Sequence, residues 1–217
     1  YTVTATATDV AGNISGPASI NIEIDTVKPA SPVINGGANM LTNSSTPEIS
    51  GTAQAGLTVN VTVNGQVYTT TATGGAWSIT TNTLNDATYT VTATATEASG
   101  NISEQASINV QVDTTAPNLQ ISGVLTGGYV HTSDPTPEIS GTIVGDDDAN
   151  LTINVVVDGQ VYTTTATGGA WSITTNNLDD GEYTVVATTT DAAGNTTSVN
   201  KEFKIDTIPP SVNISSQ

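Results

Sequence analysis

Eighteen consecutive residues of the chain, GQVYTTTATGGAWSITTN at 65–82, recur without a change at 159–176. The chain is therefore built from copies of one module. The related motif YTVTATAT begins at Tyr1 and at Tyr89, an offset of 88 residues (89 − 1), and a third version begins at Tyr183, 94 residues further on (183 − 89). A period of about 90 residues is too long for a solenoid unit and suits a small domain with its own core.

Proline-containing linkers mark where the modules end. The pattern DT-x-x-P begins at Asp25, Asp113 and Asp206, and proline cannot continue a central strand. We therefore expect a partial module at each end of the chain. The segments are the C-terminal strands of one module at 1–25, complete modules at 26–113 and 114–206, and the first strand of a further module at 207–217.

The two complete modules differ in length in one loop. TPEISGT at 46 returns at 136, an offset of 90, whereas Leu57 matches Leu151, an offset of 94. Four residues have therefore been inserted between Thr142 and Leu151, where IVGDDDAN replaces AQAG. The insertion is acidic, since it contains Asp146, Asp147 and Asp148.

The charge of the chain limits its partners. Three Lys and Arg against twenty Asp and Glu give a net charge of −17, which repels nucleic acid and anionic lipid and makes cations the natural partners. The sequence has no cysteine and shows no signal peptide and no apolar run long enough for a membrane helix. We expect neither nucleic-acid binding nor direct membrane insertion.

Alternating apolar and polar residues predict an all-β chain. TVNVTVNG, AWSITT and TYTVTATAT alternate over five to nine residues, and NG, GG and ASGN turn signals separate them. About seven short strands per module, each with one solvated face, predict tandem Ig-like antiparallel β-sandwiches with Greek-key connections.

Two aromatic pairs support this prediction. Tyr89 and Tyr183 each begin a strand just after a turn, which is typical of the tyrosine corner, where the hydroxyl bonds back to the backbone. Trp77 and Trp171 follow Gly-Gly-Ala on a strand, and we expect them in the core over the small alanines of YTVTATAT. A surface role in sugar stacking is the alternative for the tryptophans.

In combination, TPEISGTAQAG, GGAWSITT, L-x-D-[AG]-x-YTVTATATDxAGN and the DTTAP linker resemble the bacterial Ig-like repeats of giant adhesins exported by type I secretion, of the SiiE-like kind. The resemblance covers the whole chain. It implies an extracellular stalk at the bacterial surface whose modules are stiffened by Ca²⁺ at their junctions, in a protein that supports adhesion or biofilm formation and belongs to the RTX adhesins.

Loop positions in an Ig-like sandwich suggest which residues would hold the ion. The BC and FG loops lie where the chain enters a module, and the EF loop and the end of strand G lie where it leaves. Ca²⁺ takes six to eight oxygen ligands, and carboxylates without a cation would repel each other by about 1 kcal/mol per pair at 4 Å in water. At the central junction the predicted ligands are Asp113, Asp86, Asp146, Asp147, Asp148 and Asp191.

The junction at Asp25 offers fewer ligands. Its FG acid is Glu97 and its BC loop is AQAG, so we expect weaker binding there. Two other interpretations stay open. DDD can be a solvated turn, and Asp9 and Asp191, which share the motif DxAGN, can cap their own turns by bonding to backbone.

Catalysis is not expected. The only histidine is His131, and there is neither a cysteine nor a G-x-S-x-G turn from which to build a nucleophilic triad. Paired carboxylates can hydrolyse glycosides, but here they lie in turns that repeat with the module.

The leading hypothesis is a structural extender whose neighbouring modules are its partners, with the host or surface ligand bound elsewhere in the parent protein. One alternative is a module that recognises glycan or protein through its BC and FG loops. Another is ice binding through threonine ladders, although threonine also suits the solvated face of any strand and sandwich strands are twisted rather than flat.

Overall fold

The computed structural model describes residues 1–123, 131–144 and 150–214. These residues form eighteen strands and no helix. The described part of the chain therefore contains no helix that is long and apolar enough to cross a membrane. The chain divides into two compact units. The first comprises Tyr1–Met40 and Ser45–Gln111, and the second comprises Leu41–Ser44 and Val112–Gln217.

The first strands form a separate hairpin. β1 (Thr2–Ala5) pairs antiparallel with β2 (Ala18–Asn21), with Val3 opposite Ile20. These two side chains are 49% and 64% exposed, whereas Val91, which occupies the position of Val3 in the next copy, is 0% exposed. The segment 1–25 therefore has the pairing of the last two strands of a module but not the buried face.

The first complete module is a two-sheet sandwich, and its sheet orders are β3-β5-β8 and β4-β10-β9-β6-β7. In β6 alternate valines are buried, as the period-2 pattern predicts. The strands are β3 (Val33–Ile34), β4 (Asn39–Thr42), β5 (Glu48–Thr52), β6 (Thr58–Val63), β7 (Gln66–Thr71), β8 (Ala76–Thr80), β9 (Ala87–Thr96) and β10 (Ala106–Val112).

The second module repeats this arrangement, with sheet orders β11-β13-β16 and β12-β18-β17-β14-β15. His131 lies in the short edge strand β12, which pairs in parallel with β18. Residues 207–214 contain no strand. The strands are β11 (Asn118–Ile121), β12 (His131–Thr132), β13 (Glu138–Val144), β14 (Thr152–Val157), β15 (Gln160–Thr165), β16 (Ala170–Thr174), β17 (Gly181–Thr190) and β18 (Thr196–Ile205).

The eighteen-residue repeat begins at a tight turn, and a hydrogen bond joins its end to its tyrosine in both modules. In the first copy the turn before β7 has positive φ at Asn64 (49°) and Gly65 (75°), which is the requirement of a tight hairpin turn. At the other end of the repeat, the backbone N–H of Asn82 donates to the hydroxyl of Tyr68 over 2.8 Å. The second copy has the same bond, from Asn176 to Tyr162 over 2.9 Å.

Each tryptophan is a core residue and lies against a glycine of the neighbouring strand. Trp77 and Trp171 are both 4% exposed, and Trp171 stands opposite Gly141 in the pairing of β13 with β16. A Cβ at Gly141 would lie 2.5 Å from Cζ2 of that indole and 1.9 Å from the carbonyl oxygen of Gln120. The prediction from sequence had pointed to alanines as the packing surface, and the glycine contact was not expected.

Both predicted corner tyrosines bond to the backbone four residues upstream. The hydroxyl of Tyr89 donates to the carbonyl of Asn85 over 3.0 Å, and that of Tyr183 donates to the carbonyl of Asp179 over 2.9 Å. Tyr183 also stacks on Phe203, with ring centroids 5.6 Å apart. Burial, followed by the nearby Asp158 and Asp179 carboxylates, raises the pKa of Tyr183.

Candidate functional site at the acidic linkers and loops

Each linker aspartate caps the linker that it begins. Oδ1 of Asp25 accepts the N–H of Val27 over 3.0 Å, and Oδ1 of Asp113 accepts that of Thr115 over 3.1 Å. Asp206 makes a longer bond of the same kind, to Ile208 over 3.3 Å. Such Asx turns hold the backbone in a bend, so the repeated DT pattern fixes local linker geometry.

The FG loop of the second module, residues 191–195, is organised around Asp191. Its Oδ1 accepts the N–H groups of Gly194 and Asn195, both over 2.8 Å, and its Oδ2 accepts Nδ2 of Asn195 over 2.9 Å. Gly194 has a φ of +97°, which a residue with a side chain rarely adopts. Turn capping, one of the two roles left open by the sequence, is thus the role that these bonds give Asp191.

Asp9 caps the equivalent turn of the first hairpin. Its Oδ1 accepts the N–H groups of Ala11 over 2.9 Å and Asn13 over 2.8 Å, and its Oδ2 accepts Nδ2 of Asn13 over 2.8 Å. The bond from the Asn13 side chain is the largest cause that lowers the pKa of Asp9, and the backbone bonds lower it further.

Asn195 joins the FG loop to the linker before the module. Its Nδ2 donates to the carbonyl oxygen of Asp113 over 2.8 Å as well as to Asp191. A second bond runs from Oγ1 of Thr197 to the carbonyl of Pro117 over 2.6 Å. One amide nitrogen therefore brings together two residues that were predicted to share a cation, Asp113 and Asp191.

The same contact recurs at the Asp25 linker with different neighbours. Nδ2 of Asn101 donates to the carbonyl of Asp25 over 3.0 Å and to Oγ of Ser99 over 3.1 Å. Lys28, three residues after Asp25, pairs with Glu104 over 2.7 Å. We call the Asn101 and Asn195 contacts the asparagine clamps.

Glu97 replaces the loop aspartate in this module and does not cap the turn in the same way. Its Oε1 is buried without a hydrogen-bond partner among the described residues. Glutamate is longer than aspartate by one methylene, so its carboxylate is carried past the loop amides. The loop keeps the two backbone bonds that the aspartate turns also have, here from Glu97 N–H to the Asn101 carbonyl over 3.1 Å and from Gly100 N–H to the Glu97 carbonyl over 2.9 Å.

The structure brings together only part of the predicted calcium set. Asp146, Asp147 and Asp148 lie outside the described residues, and Asp86 is an exposed residue of the first compact unit. Across 1–123, 131–144 and 150–214, no group of three or more His, Asp or Glu side chains is placed to hold a metal ion. Because Ca²⁺ takes six to eight oxygens, the described residues do not supply a full ligand set.

A third linker contact involves Asp180 in the loop before β17. Its Oδ1 accepts both the N–H and the hydroxyl of Thr207, over 2.9 and 2.8 Å. The backbone bond is the largest cause that lowers the pKa of Asp180, followed by the bond from the Thr207 hydroxyl. The sequence predicted no role for Asp180.

The asparagine clamps were also missed, although the sequence carries a signal for them. Asn13, Asn101 and Asn195 end the turn in all three copies of the motif, whereas the acid at its start changes from Asp to Glu. The last two positions of the motif, glycine and asparagine, are the same in all three copies, and the asparagine is the one of the two with a side chain that can reach the linker.

Two successive sandwiches, each with one three-stranded and one five-stranded sheet, define the chain as a tandem immunoglobulin-like protein. The model of the bacterial Ig-like domain matches residues 35–114 and 121–207. The chain belongs to this bacterial Ig-like family. No curated protein matches it in sequence.

Several solved structures are similar to the chain. A 1.5-MDa bacterial ice-binding adhesin is 23% identical, with a TM-score of 0.41, over 94% of this chain and 74% of that one. A tetra-tandem repeat from the extending region of a large adhesion protein is 28% identical, with a TM-score of 0.37, over 95% of this chain and 56% of that one. The fibronectin(III)-like modules of Clostridium thermocellum CbhA are 14% identical, with a TM-score of 0.49, over 80% and 93%.

Proposed function

We propose that the chain is an extender segment of a large bacterial adhesin that is displayed outside the cell, exported by type I secretion and active in attachment or biofilm formation. Its role is structural. The modules separate a ligand-binding domain, located elsewhere in the parent protein, from the cell surface. Membership of the bacterial Ig-like family and the tandem repeat support this assignment.

The observation that carries the proposal is the asparagine clamp. An extender transmits force and position only if its linkers resist bending, and a flexible linker would let the chain coil. Both the Asp25 and the Asp113 carbonyls are held by the FG-loop asparagine of the module that follows in sequence. Each linker aspartate also caps its own turn, so two independent bonds restrain the same residue.

We further propose that Ca²⁺ strengthens the Asp113 linker. Asp113 and Asp191, which share the Asn195 amide, would contribute oxygens, with Asp146, Asp147, Asp148 and Asp86 as the further ligands. A bound divalent ion would neutralise carboxylates that otherwise repel each other in a chain of charge −17. Asp25 and Glu97 would form a weaker site, since the BC loop of that module is AQAG and carries no carboxylate.

Small-angle X-ray scattering of the whole chain tests the two parts separately. In Ca²⁺, the flexibility of the wild-type chain should be lower than in EGTA. Asn195→Ala should raise flexibility in EGTA as well, because it removes the clamp without removing an acidic ligand. Asn200→Ala, an exposed asparagine of β18, is the matched control and should scatter like the wild type.

The outcomes distinguish the clamp from the ion. If Asn195→Ala and Asn200→Ala give the same scattering as the wild type, the clamp does not restrain the linker and the extender proposal loses its main support. If Ca²⁺ and EGTA give the same curve while Asn195→Ala differs, the clamp stands and calcium stiffening is refuted.

A further inference from the structure

A groove runs along the edge of each module, where β7 approaches β8 and β15 approaches β16. Its volume is about 510 Å³ in the first module and about 500 Å³ in the second, within the range typical of ligand sites. Hydroxyl groups and one carboxylate dominate its lining. In the first module these residues are Glu48, Ser50, Thr70, Thr71, Thr73 and Ser78.

The second module has the same residue type at each of these six positions. They are Glu138, Ser140, Thr164, Thr165, Thr167 and Ser172. All of them belong to the two segments that are identical between the modules, TPEISGT and the eighteen-residue repeat. Two blocks that are separated along the chain by a loop and a strand of different sequence therefore meet at one surface feature.

Packing accounts for only part of this identity. The buried tryptophan requires the glycine opposite it, as the short Cβ distances show. Ser78, Thr71 and Thr73 are exposed, and substitutions at exposed positions usually change stability little. Elsewhere on the surface the modules have diverged, for example from Ala87 to Gly181. Exposed residues of the same block outside the groove, such as Val67 and Val161, are retained too. The chemistry of the groove lining, and not the identity alone, therefore indicates what the groove binds.

The chemistry of the lining restricts the ligand. Serine and threonine hydroxyls both donate and accept hydrogen bonds, and glutamate accepts them. None of the described residues that line either groove is cationic, and the chain carries a charge of −17, so polyanions are repelled. A neutral, hydroxyl-rich polymer matches this surface.

The arrangement of the strands suits an extended polymer. Ser50 stands directly opposite Ser78 in the pairing of β5 with β8, so their Cβ atoms are about 5 Å apart and both hydroxyls can bond to one sugar ring. The Trp77 indole is 4% exposed and forms the floor of the groove. Binding therefore depends on hydrogen bonds rather than on stacking against an aromatic face.

We propose that each module binds a segment of a neutral polysaccharide in this groove. Hydrogen bonds exposed to water are individually weak, so a single groove holds the polymer loosely. Both grooves carry the same lining, so each module binds the same class of polymer. This activity is independent of calcium at the linkers and would give the extender itself an affinity for glycan surfaces.

Affinity electrophoresis of the whole chain in gels that contain dextran, mannan or amylose tests the proposal. Retardation by at least one neutral polymer is expected, with none by alginate, a polyanion. Ser78→Lys should weaken the retardation by blocking the first groove and Ser172→Lys by blocking the second, and the double variant should abolish it. Ser107→Lys, an exposed serine of β10 outside the groove, is the matched control.

Three results would overturn the assignment. The first is the absence of retardation by all three neutral polymers, and the second is equal weakening by Ser107→Lys. The third is a dimer in analytical ultracentrifugation that Ser78→Lys and Ser172→Lys dissociate, because the edge would then bind a second copy of the chain. Unchanged melting temperatures of the lysine variants ensure that a loss of binding is not a loss of folding.

Discussion

Replacing Gly141 with alanine should unfold the second module while leaving the first intact. The new methyl group would lie 1.9 Å from the Gln120 carbonyl and 2.5 Å from Cζ2 of Trp171. A side-chain clash alone costs about 1–3 kcal/mol through overpacking. Here one of the two obstacles is the backbone of a paired strand, which cannot rotate away. We therefore expect the free energy of unfolding to fall by about 4 kcal/mol or more, which is typical only of severe core defects.

Tryptophan fluorescence can follow the modules separately. The chain has two tryptophans, Trp77 in the first sandwich and Trp171 in the second, each 4% exposed. A stable domain has about 5–15 kcal/mol to lose, so urea titration of Gly141→Ala should show one tryptophan exposed at low denaturant and the other at the wild-type midpoint. Gly51→Ala should give the reciprocal result, since its Cβ would lie 2.4 Å from Cζ2 of Trp77.

Gly181→Ala is the matched control within the same module. Its Cβ would meet nothing closer than a Tyr183 ring carbon at 3.6 Å, and no positive φ is involved. The first module carries alanine at the corresponding position, Ala87. The packing argument fails if Gly141→Ala lowers the free energy of unfolding by less than about 1 kcal/mol, or by no more than Gly181→Ala, because a clash with backbone costs more than an ordinary contact.

Other consequences can be measured on the same chain. Tyr89→Phe removes the bond to the Asn85 carbonyl and should cost about 1 kcal/mol in urea unfolding; an unchanged midpoint would contradict a stabilising corner. The pKa of Asp180 is lowered by Thr207, so its stabilisation is present above the unfolded value near 3.8 and is lost as pH falls through the folded value. The melting temperatures of wild type and Asp180→Ala should therefore differ at pH 6 and converge as the pH falls through the folded-state pKa. At a free Ca²⁺ concentration tenfold above Kd, one site should add about 1.4 kcal/mol, and equal melting in Ca²⁺ and EGTA would exclude it. In calorimetry, Asp113→Ala should abolish the tightest Ca²⁺ transition and Asp25→Ala should leave it intact; equal effects would show that the loops were assigned to the wrong ends.

Much of the fold follows from local sequence. The spacing of the repeats set the module length, and period-2 alternation predicted strands such as β6 and β9, because alternate residues of a strand face opposite sides. The corner tyrosines were predicted because their partner lies only four residues away. The absence of helix among the described residues agrees with the all-β prediction.

Contacts between residues far apart in the chain were decided only by the tertiary structure. Nothing in the local sequence indicates that Gly141 faces Trp171, since the register of β13 against β16 sets that pairing. Asn195 reaches a carbonyl 82 residues away, and the two identical blocks meet in a groove because β5 pairs with β8. The role of Asp191 depended on the path of its own loop, which turned the carboxylate towards backbone amides. Sequence patterns report the periodicity and the turn chemistry of each element, whereas the surfaces that elements build together depend on how the strands pair and how the sheets pack.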